Sequence, residues 1–535
     1  MKTLSVLLAV SPVVVIFLLL VWRRISADLA GVIGLIVTAA VAWGYFHTAP
    51  AVVVRSALAG MVSSFPISLM VGASIFQMTY MLEVGAVRRI VLAMKSVSPK
   101  DRVAQILMIN VGFGTLVTAL GATPVSILPP IMLALGYSSY VAIALPAIGY
   151  DSLCTYALLA IPAVVFTDTL APLAKSAGIT LTLQQAGLLF ARFIPVVSTC
   201  IALGMFWIVG RWRMVARGLL PAVLTGAIAG MACWGMALVD LVPLTGVVAG
   251  AAIILAFAGL LKIRRLPVWS EQALTSEDKE TKLRMGLSRA ASPWLLLLVF
   301  AVLVNLKSLP FHQWLFVKLP LAVPIIPGRP TATRALWQAY TWVLIATFLS
   351  AAWFRPSGEQ WRAIVSRTRR RAPRPILAAA VFFAIAYVID QSGKVGGAVG
   401  SSSVWVLPPD RQNMVQVLAI AAAQGFGSMY GVVAPYLGLL AGFISGSETS
   451  AIAMLSRFHM ETAQALGKPA HVGLLLAAAS AVGGGLASVI SPAKLQNAAA
   501  IIDRIGEEGK VLRTTIVISL AITLVTAIAT LLWVR

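Results

Sequence analysis

Most of the groups in this sequence that could bind a small ligand are gathered in one short stretch. Gly442–Ser456, GFISGSETSAIAMLS, holds Ser445, Ser447, Thr449 and Ser450 around a single carboxylate, Glu448, between strongly apolar flanks. Hydroxyls both donate and accept, Gly446 lets a ligand reach the backbone, and a helix starting near Thr449 would turn unpaired N–H groups toward an anion. In lipid such an interruption survives only where protein buries it or where it lines a watery cavity. The residues point to a binding site for an anion; the competing reading is a contact between helices made by small residues. A second interrupted stretch, GATPVS at Gly121–Ser126, adds Thr123 and Ser126, with Thr118 just before it.

Ionisable side chains inside apolar segments are costly and tend to mark function. Glu448 is one, and Asp151 in AIGYDSLCTY, beside Tyr150, is the other. A carboxylate so placed can exchange a proton in step with an anion bound beside it; for Asp151 a structural hydrogen bond or ion pair is the alternative. Arg457 and His459, further along the Glu448 segment, could pair with Glu448 or with a substrate carboxylate, or simply sit at an interface. Lys494 and Gln496 follow the break at Pro492 and read as a gate or as an ordinary basic loop, while Glu83 and Asp390 end their helices and are expected to face water. Cys154, Cys200 and Cys233 lie in apolar runs without pairing or metal spacing, and His47, His312, His459 and His471 have no ligand spacing. No phosphate-binding glycine loop occurs. No metal, cofactor or ATP-driven chemistry is expected.

The elements that must carry these residues are membrane spans. Of 535 residues, 59% are hydrophobic and 11% charged, far more apolar sequence than a water-soluble core could bury. Leu4–Trp22 reads as a retained first helix, and further spans are expected near 29–47, 62–83, 140–162, 190–210, 216–238, 243–262, 293–308, 336–354, 375–391, 470–490 and 513–533. That makes an all-α polytopic protein of about twelve crossings. The regions 104–135 and 432–465 are apolar but broken by Gly, Pro and hydroxyl residues, and read as re-entrant hairpins. With both termini on the non-cytoplasmic side, 28 of the 41 Lys and Arg residues fall in cytoplasmic loops. The net charge of +23 therefore reflects orientation in a membrane, not nucleic-acid binding.

Two halves repeat. Ala134-Leu135-Gly136 followed by Val141 recurs 331 residues later as Ala465-Leu466-Gly467 followed by Val472, and GFG at Gly112 with Pro162 recurs at an offset of 330 as GFI at Gly442 with Pro492. The charge bias gives the halves opposite orientations, an inverted repeat in which Pro162 and Pro492 break equivalent helices. The expected organisation is N-terminal helices (1–61), a first repeat (62–165), connecting helices with basic loops (166–374), a second repeat (375–505) and a C-terminal helix (506–535). Paired interruptions of this kind are the arrangement of secondary transporters, where they meet near the bilayer midplane.

The sequence resembles the lactate permease family of bacterial lactate and glycolate transporters. GFISGSETS at Gly442–Ser450 and the Gly-rich run from Gly473 to the ISP break at Pro492 carry the resemblance, with weaker matches at Asp101-Arg102, Gly112–Gly114, Leu135-Gly136-Tyr137 and Asp390–Gly393. It implies uptake across the bacterial inner membrane of a small 2-hydroxymonocarboxylate with a proton, paired hairpins, elevator-like movement and homodimers. Glu448 takes the place of the family's aspartate. Thr118–Ser126 replaces a run with an acid and an aromatic, and Gly149–Tyr156 replaces another family run. Asp151 could substitute for the missing acid. The departures leave open another carboxylate or a sulfonate as cargo, sodium as coupling ion, or an anion channel on the same frame; a membrane-embedded enzyme lacks a nucleophile–base or metal constellation.

Overall fold

A computed structural model describes residues 3–23, 25–97, 100–270, 274–399 and 402–534, without the side chains of Tyr150, Ser488, Pro492, Ala493 and those at 398–399 and 402–403. Runs of Leu, Ala, Val and Ile in lipid can satisfy their backbone only by closing it into helices. Among the described residues, eleven helical stretches are long and apolar enough to cross a bilayer, from Thr3–Val21 to Glu508–Val534. The protein is an all-α polytopic membrane protein. Among the described residues its strands form two antiparallel hairpins in connecting segments, Ala322–Ile326 with Arg329–Ala332 and Val395–Val399 with Ser402–Val406, which the apolar pattern did not announce.

Some stretches contain more than one arm. Ile194–Leu238 leaves helical geometry at Gly210 and Arg211. A Cβ added at Gly218 would strike the Phe206 ring, at Gly226 Thr199, and at Gly230 Pro195. As the glycines advance from 218 to 230 their partners step back from 206 to 195, so the two arms fold back on each other as an antiparallel pair, corresponding to 190–210 and 216–238. Elsewhere the expected segments differ from the observed ones. The helices Pro50–Ser63 and Met414–Phe426 fall where no span was expected, and 336–354 and 470–490 appear as the shorter helices Ala339–Phe354 and Ala470–Leu486.

The helix Ala470–Leu486 is buried from Val472 onward and packs against both Tyr430–Ser445 and Glu448–Ala465. A Cβ at Gly438 or Gly483 would overlap the carbonyl of Ser480 or Pro435, so these helices touch backbone to backbone. This rigid three-helix unit holds the SGSETS turn. The repeated Ala-Leu-Gly has one local structure in both places: Gly136 (φ 82°) and Gly467 (φ 67°) end the helices Leu128–Ala134 and Glu448–Ala465 in left-handed geometry. Gly136 N–H donates to Leu133 O and Tyr137 N–H to Met132 O, while Gly467 N–H donates to Gln464 O and Lys468 N–H to Ala463 O.

The two prolines begin helices more than they break them. Pro492 opens Pro492–Ile501 after a 3-10 turn at Ala487–Ile490, and Pro162 follows a 3-10 segment at Tyr150–Tyr156 and three left-handed residues, Leu158, Leu159 and Ala160, at φ 55°, 57° and 61°. Left-handed geometry costs a non-glycine residue roughly 1–2 kcal/mol, and such strain concentrates at functional sites. Glu83 and Asp390 do not face water alone as expected: they pair with Arg367 and Arg457. Carboxylates at helix ends packed against other spans find a nearby guanidinium instead of bulk solvent.

Candidate functional site

The SGSETS turn is sharp. Tyr430–Ser445 ends at Gly446, left-handed at φ 68°, whose N–H donates to Gly442 O at 2.8 Å. Ser447 then caps the 18-residue helix Glu448–Ala465, its Oγ accepting from the Ser450 N–H at 3.4 Å. The N–H groups of Glu448 and Thr449 in this first turn have no intrahelical acceptor. The first-half turn is built differently. Gly114–Ala119 ends before Gly121 (φ 94°), and a 3-10 turn at Pro124–Ser126 precedes the seven-residue helix Leu128–Ala134. Pro124, Pro129 and Pro130 have no N–H to offer there.

Both turns wall one cavity of about 600 Å³. Thr118, Thr123 and Ser126 line it from the first half, and Ser445, Gly446, Ser447, Glu448, Thr449 and Ser450 from the second. Helix Phe65–Glu83 contributes Ser74 and Thr79, and Arg371, Lys494 and Asn497 complete the polar wall. Several hydroxyls are already engaged. Thr118 Oγ1 donates to Gly114 O at 2.7 Å, Ser445 Oγ to Ala441 O at 2.8 Å, and Ser126 Oγ accepts from Asn497 Nδ2 at 2.9 Å. Ser450 Oγ and Ser74 Oγ are buried without a hydrogen-bond partner among the described residues. A buried unpartnered hydroxyl costs about 1–3 kcal/mol, which a ligand in the cavity would recover.

Glu448 stands at the centre, 3% exposed. Its Oε1 accepts from Thr155 Oγ1 at 2.7 Å, so the first-half break reaches across to the second-half turn. Its other oxygen, Oε2, lies beside Gly485, where an added Cβ would come within 2.8 Å of it and 3.2 Å of Cys154 Cβ. Only glycine leaves that carboxylate its room. Lys494 acts on Glu448 electrostatically, and Arg371 stands in the same wall without an ion pair among the described residues. Two cations against one carboxylate make the lining suited to a small anion.

Asp151 does not wall this cavity. It is 3% exposed, and its Oδ2 accepts the Val489 N–H at 3.1 Å, tying the break at Tyr150–Tyr156 to the break at Ala487–Ile490. The side chain of Tyr150 lies outside the described residues. Arg457 and His459 are not found beside Glu448. Arg457 pairs with Asp390 and, at 2.8 Å, with Glu461, and His459 Nδ1 shares a 2.7 Å hydrogen bond with Tyr430 Oη. Nine residues of helix carry Arg457 about 13 Å from Glu448, which puts other carboxylates nearer. Among the described residues no group of three or more His, Cys, Asp or Glu could hold a metal ion.

Sequence reasoning did not assign Arg371, Asn497, Thr155 or Ser74, and left Lys494 between gate and loop. Arg371 sits in a run of loop arginines that reads as an orientation signal. Thr155 had a visible signal: a hydroxyl four residues beyond a carboxylate in an interrupted helix.

Known proteins resemble this chain along nearly its whole length. The chain is 23% identical to an L-lactate permease of Escherichia coli (strain K12) over 99% of its own length and 96% of the relative's. It is 24% identical to the glycolate permease GlcA of the same organism over 99% and 95%. Over 199 residues, 37% of the chain, identity to an L-lactate permease of Bacillus subtilis (strain 168) is 31%. With the L-lactate permease family model matching residues 5–535, the chain belongs to the L-lactate permease family.

Proposed function

We propose that this protein is a secondary active transporter of a small organic anion, a 2-hydroxymonocarboxylate of the lactate or glycolate type, moved together with a proton. The observation that carries the reading is the shared cavity: two interrupted helical segments, far apart in sequence, line one cavity whose wall also holds the Glu448 carboxylate and the cations of Lys494 and Arg371. Lys494, Arg371 and the N–H groups that open Glu448–Ala465 hold the substrate carboxylate. Ser450 and Ser74, whose hydroxyls lack partners among the described residues, take the 2-hydroxyl. Glu448 carries the proton. Asp151 acts with it indirectly, fixing the position of one break against the other.

In this reading 104–135 and 432–465 are re-entrant hairpins of inverted repeats, 62–165 and 375–505, and the hairpins move as a unit against a scaffold within a homodimer. The termini lie on the non-cytoplasmic side. The cavity then opens toward the cytoplasm, where Arg371 and Lys494 stand. The relatives' names, L-lactate permease and glycolate permease, support the substrate class.

The test is uptake of labelled L-lactate into proteoliposomes with an inward proton gradient imposed or collapsed, and with glycolate, pyruvate and small sulfonates as competitors. Accumulation that follows the proton gradient is expected. Accumulation that follows sodium instead would replace the coupling ion, and conductance without accumulation would make the protein a channel.

A further inference from the structure

A second cavity, about 240 Å³, lies on the same three helices as the first. On helix Pro373–Gln391 the first cavity uses Pro375, Ala378 and Ala379, and the second uses Phe383 and Tyr387. On Ala157–Ser176 the change falls between Pro162 and Val165, and on Phe65–Glu83 between Ile67 and Pro66. The two chambers are therefore stacked along one path, and the wall between them is a single helical turn, about 5 Å of helix rise. Ile67, Val165 and Phe383, each 5% exposed or less, fill that layer.

The far chamber is polar and basic. Arg334 and Arg329 line it with Asp168, Thr169 and Ser63. Arg334 is committed: it pairs with Asp168 at 2.8 Å and stacks over Phe316 at 4.2 Å, which anchors the connecting segment to helix Ala157–Ser176. Ser63 Oγ donates to Tyr387 Oη at 2.7 Å. Arg329 has no ion pair among the described residues. It is carried at the start of the strand Arg329–Ala332, whose hairpin packs on helix Pro50–Ser63 through the buried Ile326. With two guanidinium groups and one carboxylate, the chamber holds a surplus positive charge at the end of the path opposite Arg371 and Lys494.

We infer that this chamber is a second carboxylate-binding station, with Arg329 as its anion ligand and the Ile67–Val165–Phe383 layer as the seal between it and the first cavity. A guanidinium with open hydrogen-bonding positions takes a carboxylate in bidentate fashion, and an anion held there is parted from the first cavity by the one-turn wall. As a station on an access path the inference rests on the transport reading; as an anion site it does not.

Two measurements on the full-length purified protein separate these. Peptide-level mass spectrometry after phenylglyoxal treatment reads the modification rate of each arginine with and without L-lactate. Arg329 is expected to be protected several-fold, while Arg355, on a connecting loop away from both chambers, is unchanged. In proteoliposomes, Arg329→Gln is expected to raise the KM for L-lactate about threefold to tenfold at unchanged kcat, with Arg329→Lys between it and the parent. Equal modification rates, or an Arg329→Gln KM equal to the parent's, would overturn the station while leaving transport standing. Protection of Arg329 in a protein that moves no lactate would overturn the transport reading and keep the anion site.

Discussion

The two turns that meet in the central cavity do the same topological job with opposite chemistry. In the second, Gly446 reverses the chain in one residue, Ser447 caps the next helix, and 18 residues of helix start at the cavity wall. Backbone N–H groups, the helix dipole and a carboxylate are all presented at the cavity wall. In the first, Gly121 reverses the chain, but a 3-10 turn and a seven-residue helix with Pro129 and Pro130 follow. Those prolines remove donors, the short helix has little dipole, and only the hydroxyls of Thr118, Thr123 and Ser126 are left to contribute. In the proposed reading, binding strength is therefore lodged in one turn, and the other closes the cavity around it.

That contrast orders the expected effects of substitution. The largest belongs to Glu448→Gln, which takes the titrating carboxylate from the cavity wall and is expected to lower gradient-driven uptake by about tenfold to a hundredfold while exchange persists. Gly485→Ala comes next. Its new methyl would press on Glu448 Oε2, and competition assays should give an apparent affinity weaker by about tenfold in protein that stays monodisperse. Ser450→Ala is expected to weaken binding about threefold to tenfold, since its hydroxyl has no other partner among the described residues. Ser126→Ala should change binding less than threefold, because that hydroxyl already serves Asn497 at the exposed rim. If Ser126→Ala proved costlier than Ser450→Ala, the two turns would have to exchange roles.

Much of this was legible in the sequence for a simple reason: a hydroxyl-rich break in an apolar run is costly in lipid, so Gly442–Ser456 and Gly121–Ser126 stand out against their surroundings. The seven proposed binding residues in these stretches, with Thr118 just before the second, line one cavity. Helices too short to cross by themselves left no comparable mark. Pro50–Ser63 and Met414–Phe426, 14 and 13 residues long, read as connections because length is the main signal for a span. Cations were ambiguous for a different reason. Arg371 lies among Arg369, Arg370 and Arg374, and an orientation signal and a ligand look alike until packing aims one of them inward. For Arg457 and His459 the sequence leaves pairing with Glu448 and a place at an interface both open, because Asp390, Glu461 and Tyr430, which engage them, come from other parts of the fold or a turn further along the helix. Asp151 was recognised as costly, but nothing in its neighbours announced that its partner would be the N–H of Val489, 338 residues away.

The central claim is that Glu448 carries the proton that accompanies the anion. It is tested most directly by comparing two assays on Glu448→Gln in proteoliposomes: accumulation of labelled L-lactate under a proton gradient, and exchange of internal unlabelled for external labelled L-lactate without one. A neutral residue of the same shape keeps the binding cavity but cannot release a proton, so exchange is expected to persist while accumulation is lost. A variant that still accumulates lactate under the gradient would contradict the account.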